Sequence, residues 1–512
     1  MRSPTFLSSA VSRAHAWYVH GRSFGRTCLG LVVFTMAMLL AAGSAWGNGR
    51  FPSTNRIVLS PSDPNVVIVR STYGILPSSD HGTTWAFLCE EALGISQMAV
   101  VDPALALTAG HALVAGLRPG GLNVSNDTGC NWRCAGDQLA GEWIVDVAVR
   151  PNAPHSVVAL TSTLLKAGGG EHAQAFESVD DGATWTPLGT PLDPSIQVTT
   201  IEVAASDPHR LYVSATRGFG PQRTASLFVS MDDGATWTEH VTPLDIALEV
   251  SLYIAGVDPL DADRVYLRTE GKSRLFVTRD AGQSFQIPLV FDGQMLGFAL
   301  SADGSKVFAG GDVDGLMVGD RANLSFASQP SIVLGGDGGP AKLYIQCLAT
   351  RGSELWACAD ESNGFIAGVS TDDGATFAPK LHLNSVRAPI RCCASVPGAL
   401  ACGADSGGAQ CSGDPFTNLC LNVGCESTPD AAAAACSNAD AAAPSTAEPT
   451  EKVGHRAASA CGCTLAPSQS RGALGTLGLL YAGALRRVVR RRAPDRSASG
   501  RASRATRTRG MH

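Results

Sequence analysis

Between residue 50 and about residue 425, apolar residues come in short runs and alternations rich in Val, Ile and Tyr, bounded by Gly, Pro and Asp. No part of that region sustains a 3.6-residue period, so the pattern predicts short strands joined by tight turns. Runs at 66–70, 211–215 and 264–268 each follow an Asp-Pro pair, namely Asp63-Pro64, Asp207-Pro208 and Asp258-Pro259. Aspartate before proline forms turns, so these three acids read as turn formers and not as catalysts.

Each phrase of strands closes on the same eight positions, Ser/Thr-x-Asp-x-Gly-x-(Thr/Ser/Asn)-(Trp/Phe). Six copies are centred on Asp80, Asp127, Asp180, Asp232, Asp280 and Asp372, with Gly82, Gly129, Gly182, Gly234, Gly282 and Gly374 two residues on. Trp85, Trp132, Trp185, Trp237, Phe285 and Phe377 end them. Glycine supplies a positive φ, the carboxylate and hydroxyls take up turn N–H groups, and the aromatic opens the next strand. This is the chemistry of a hairpin, not of a catalytic centre.

The gap from Asp280 to Asp372 is twice the usual spacing, and a decayed copy fills it: strands at 307–309 and 315–318, then Asp320 and Ser325-Phe326. A possible eighth copy rests on the likeness of 345–358 to 390–402, with Asp414 where a box would begin and Phe416 at its glycine position. Repeats of 40–53 residues holding four short strands have the size of a propeller blade. One such sheet cannot bury both its faces, and radial packing around an axis solves that. The expected fold is all-β, a propeller of seven or eight four-stranded blades over 48–426.

The repeat resembles the Asp-box (BNR) repeat of sialidases, some endoglucanases and sortilin-like receptors. The resemblance implies a β-propeller with its boxes on outer hairpins, remote from the central pocket.

Charge sharpens the picture. The chain of 512 residues has a formal charge of −6, but residues 1–47 carry Arg2, Arg13, Arg22 and Arg26 with no acid, and 461–512 carry eleven Arg against Asp495. That leaves 24 basic and 44 acidic residues for 48–460, a body that repels phosphate backbones, so no nucleic-acid partner is expected. Basic residues, an apolar run at 28–42 and small residues up to Gly47 predict a signal peptide cut after Ala45 or Gly47. The alternative is an uncleaved anchor, although the run is short for a span. Export is expected either way.

Fifteen cysteines in an exported chain favour disulfides. Cys347 with Cys358 and Cys393 with Cys402 would lie on adjacent strands of successive repeats. Cys89, Cys130 and Cys134 form a second group, and Cys392, Cys411, Cys420, Cys425 and Cys436 a third. No paired C-x-x-C with a nearby histidine appears, so neither a metal nor another cofactor is expected.

Residues 427–460, rich in Ala, Pro, Ser and Thr, read as a flexible linker. Over 461–492, Cys461-Gly462-Cys463 precedes a weakly apolar stretch and an arginine cluster, and a basic tail fills 493–512. The order resembles the MYXO-CTERM sorting signal. That resemblance implies cleavage near Gly462-Cys463 by a membrane-embedded processing protease, attachment at the cell surface or outer envelope of a bacterium, and a membrane contact through the tail. The apolar stretch is shorter and richer in glycine than such signals, and the tail runs past the arginines. A plain weak anchor is the alternative.

Catalytic motifs are scarce. No Ser-His-Asp order, phosphate loop or HExxH appears. His111, His155 and His209 stand alone in the sequence and read as surface polar residues. Calcium at Asp232-Asp233 or Asp372-Asp373 lacks the D-x-D-x-D-G series. Arg50-Phe51-Pro52 faintly resembles the arginine motif that opens sialidase domains, in the wrong order and with no recognisable Tyr motif. The expectation is a monomeric, exported, envelope-tethered propeller that binds a protein or glycan without catalysis. The alternative is a glycoside hydrolase working at the central face. Converging arginines with a Tyr/Glu pair would mark a sialidase, two facing carboxylates a glucanase, and an apolar mouth a binder.

Overall fold

The computed structural model describes residues 53–390 except 94–101, 119, 130, 137, 165–169, 246 and 337. The leader at 1–47, the linker, the sorting segment with Gly462 and Cys463, the basic tail and the Cys393–Cys402 pair lie outside the described residues.

Four-stranded antiparallel sheets repeat seven times in chain order, as blades 1 to 7 of a β-propeller. Their first strands are Thr54–Leu59, Ala104–Leu107, Ile144–Arg150, Ile196–Val203, Glu249–Val257, Met295–Leu300 and Cys347–Arg351. Each packs on the first strand of the next blade, and Cys347–Arg351 packs back on Thr54–Leu59. The ring therefore closes at seven. No gap is left for the eighth blade that the likeness of 390–402 to 345–358 suggested, and residues after 390 lie outside the described residues.

Burial follows strand position. In blade 4 the second strand Leu211–Arg217 is buried up to its last residue, as expected of a strand covered on both faces, whereas the outer strand Thr238–Thr242 is mostly open. The apolar core is divided among the interfaces between blades. The cluster that closes the ring sets Trp356, Ile366 and Leu381 of blade 7 against Ile68, Trp85 and Phe87 of blade 1. Two outer edges carry a fifth, parallel strand, Val386–Pro389 on Trp85–Cys89 and Ile332–Val333 on Thr376–Leu381. These cover edges that would otherwise be open to pairing.

The decayed copy builds a full blade 6, with Lys306–Gly311, Gly315–Asp320 and Phe326–Gln329 following the inner strand. Its turn is a different one. Asp320 Oδ1 accepts from Ala322 N at 2.8 Å and Asn323 N at 3.1 Å, and Leu324 takes the left-handed conformation at φ 56°.

Candidate functional site

Each box folds into one hydrogen-bonded unit. In blade 3, Ser178 Oγ donates to Asp180 Oδ1 at 2.8 Å and accepts from Gly182 N at 2.8 Å. Thr184 N donates to Oδ1 at 2.8 Å and Thr184 Oγ1 to Oδ2 at 2.7 Å. Trp185 Nε1 closes the turn on Gly182 O at 3.1 Å. Asp232 is served in the same way by Ser230 and Thr236. The Thr184 and Thr236 N–H groups hold Asp180 and Asp232 below the usual carboxylate range. With their oxygens filled from the turn, these acids serve structure.

The sequence reading gave a positive φ to the box glycine alone. The residue before it is left-handed too: His81, Thr128, Asp181, Asp233, Ala281 and Asp373 have φ of 54–60°. This second bend turns the fourth position toward the preceding blade. His81 meets Glu354 at 2.7 Å, Asp181 accepts from Gly110 N at 3.2 Å, Asp233 accepts from Arg150 at 2.9 Å, and Asp373 pairs with Lys306. Two of the histidines are not alone either. His155 pairs with Asp181 at 2.8 Å and His209 with Asp233. His111 sits in a turn with φ 64°.

The aromatic position seals the same seams. Trp85 donates from Nε1 to Lys380 O of blade 7 at 2.8 Å. Phe377 is fully buried, while Trp132, Trp237 and Phe285 are only partly covered. Asp63 and Asp207 serve as turn acceptors for Asn65 N and His209 N. Asp258 does more: it is fully buried, accepts from Leu260 N, and takes a two-pronged bond from Arg321 of blade 6. Among the described residues no group of three or more His, Cys, Asp or Glu is placed to hold a metal ion. Cys347 and Cys358 form a disulfide across the first two strands of blade 7, with Cα atoms 4.8 Å apart, and Cys89 is also disulfide-bonded.

A cavity of about 510 Å³ runs beside the inner strands of blades 1, 2, 3, 4 and 7. Its lining residues include Leu59, Leu107 and Val149, but more of the surface they leave open is polar than apolar, and its charged groups include Arg56 and Glu202. An extra residue interrupts the register of several inner strands: Asn55 in blade 1, Val145 in blade 3 and Thr199 in blade 4. Such bulges re-aim the side chain that follows, and here Arg56 and Asp146 follow.

Asp146 Oδ1 accepts from Val147 N at 2.9 Å and Oδ2 from Ile201 N at 3.1 Å, with Arg56 Nη1 3.9 Å away. Burial still raises its pKa. Glu202 accepts no hydrogen bond from another described residue. It is half-buried at the cavity wall, and desolvation, followed by the charge of Asp146, pushes its pKa up to about 8. Arg118 donates to Val145 O at 2.7 Å and Ile144 O at 3.4 Å, and burial lowers its pKa.

The sialidase criteria are met only in composition. Tyr253, on the inner strand of blade 5, donates to Glu270 Oε2 at 3.3 Å, and the guanidinium of Arg268 lies 4.6 Å over its ring. The arginines do not converge, because Arg118 is spent on backbone carbonyls and Arg268 on an aromatic face. Burial raises the pKa of Tyr253, the opposite of what an activated nucleophile needs. Arg56, Asp146 and Glu202 were not singled out in the sequence. The signal available was an acid inside an otherwise apolar strand, as in Ile144–Arg150, and several strands share it.

Residues 120–246 match the family described as Sortilin-Vps10 (sortilin, neurotensin receptor 3). No curated protein matches the chain. Among solved structures it is similar to the GH74 enzyme of Niastella koreensis, at 15% identity over 64% of this chain and 65% of that one, with a TM-score of 0.37. An ancestral GH74 enzyme aligns at 16% identity over 65% of this chain and 47% of its own, with a TM-score of 0.49. YCF48 from Cyanidioschyzon merolae aligns at 15% identity over 60% of this chain and 92% of its own, with a TM-score of 0.41. The chain thus spans about two thirds and about half of the two GH74 enzymes.

Proposed function

We propose that this chain is an exported, envelope-tethered, monomeric propeller that binds a protein or glycan at its axial channel without cleaving it. One observation carries the reading: the channel offers a carboxyl that no described residue serves, Glu202, while the neighbouring Asp146 is tied to backbone groups. A site built for turnover needs an acid and a base poised apart, and fixed neighbours suit recognition better. The Sortilin-Vps10 match, to a family described by a receptor, agrees with binding. Tethering by the 461–492 segment after processing near Gly462-Cys463, and a body too acidic for nucleic acid, complete the proposal.

Peptide and glycan arrays probed with the full chain test it. A ligand retained by Asp232→Asn and lost on Glu202→Arg supports the channel as the site. Ligand retention by both variants counts against it.

A glycoside hydrolase is the second reading, and the raised pKa of both Asp146 and Glu202 on neighbouring inner strands favours it. Turnover of fluorogenic glycosides that disappears in both Asp146→Asn and Glu202→Gln would select it over binding.

A further inference from the structure

The axial channel contains a carboxyl that no described residue serves. Asp146 takes two backbone N–H groups and lies 3.9 Å from Arg56, and Arg118 is spent on two carbonyls, but no described residue donates to Glu202. We propose that the channel binds a primary alkylammonium group, which donates to the Glu202 carboxylate at the cavity wall. This deepens the reading of the channel as a binding site and rests on it.

The match is one of complementary valence. An ionised carboxylate only accepts hydrogen bonds and an ammonium only donates them, so the group Glu202 lacks is the one a cationic ligand supplies. The channel volume of about 510 Å³ falls in the range of small-ligand sites, roughly 300–1,000 Å³. Over residues 48–460 the chain has 44 acidic against 24 basic residues, and the resulting field draws cations toward it.

Binding of this kind is linked to a proton. Burial and the neighbouring Asp146 push the Glu202 pKa up to about 8, while Arg56 pulls the other way. An entering ammonium requires the acid to release its proton to solvent, which is unfavourable below the pKa of about 8 and free above it. A lysine side chain of a partner protein and a free diamine present the same group.

Calorimetric titration of the full-length protein with 1,5-diaminopentane and with Nα-acetyl-lysine amide tests this, with Nα-acetyl-norleucine amide as the uncharged control. The expected result is affinity rising about tenfold between pH 7 and pH 9, where the ammonium is still charged. Glu202→Gln is expected to weaken binding at least about tenfold, the scale of one lost charge-assisted hydrogen bond. Binding of the lysine amide points to a protein ligand, and binding of the diamine alone to a free polyamine. Affinity that is flat or falls with pH, or no binding of either amine, overturns the assignment, and the wild-type profile decides even where the variant fails to fold. If an array ligand occupies the channel while neither amine binds, the ammonium assignment fails and the binding reading stands. Glycoside turnover with no ligand of any class ends that reading itself.

Discussion

Arg150, the last residue of the inner strand of blade 3, donates to Asp233 in the box of blade 4 at 2.9 Å. The same guanidinium also bonds Glu177 within its own blade and Pro208 O in the next. The hairpin repeat therefore does more than turn the chain: its left-handed fourth residue locks one blade to another. Arg150→Met should lower stability by about 3 kcal/mol, because it strands two carboxylates that were paired with a buried cation. Arg217→Ala, at an exposed pair with Asp193, should stay within about 1 kcal/mol. Urea midpoints of the two variants check the contrast.

The box glycine is held by space as well as by φ. Gly374 has φ 86°, and a Cβ there would lie 2.1 Å from Leu316 Cδ2 of blade 6. Gly374→Ala should cost about 2–4 kcal/mol through strain and overpacking together. Adding Leu316→Ala should cost less in that background than in the wild type, since the clash is relieved. A double-mutant cycle on thermal unfolding measures that coupling. Strict additivity would mean the two blades do not meet there.

The Cys347–Cys358 bond closes a short loop, with a sequence separation of 11. A loop of that size is worth about 2–3 kcal/mol through the unfolded chain. The paired Ala substitution should lower the unfolding free energy by that amount, and reductant should have correspondingly less effect on the variant than on the wild type.

Much of this fold is legible in the sequence because it is local. The box writes its turn in eight residues, and its spacing writes the blade, so even the decayed copy at Asp320 could be placed. Ring closure is not local. Whether seven or eight blades close depends on Cys347–Arg351 packing on Thr54–Leu59, a contact between ends of the chain that no periodicity encodes. The channel was illegible for a related reason. Asp146 and Glu202 become neighbours only when two inner strands meet, Ile201 N reaching Asp146 across 55 positions. A bulge of one residue decides where such a side chain points, and one extra Val or Thr among many leaves no mark in the pattern.

The proposed ligand site rests on the carboxyl of Glu202, which no described residue serves, and its linkage to folding is open to measurement. In the unfolded chain it ionises near its ordinary value of 4.5, and in the folded protein only near 8. Between those values the folded state binds more protons, so stability falls as pH rises, by at most about 5 kcal/mol from this group. Unfolding free energies of wild type and Glu202→Gln across pH 4 to 9 are the direct test. The variant should gain on the wild type steadily from pH 4.5 to 8 and hold the gain above it. Parallel curves would show a carboxyl already solvated or paired, and would contradict the channel as described.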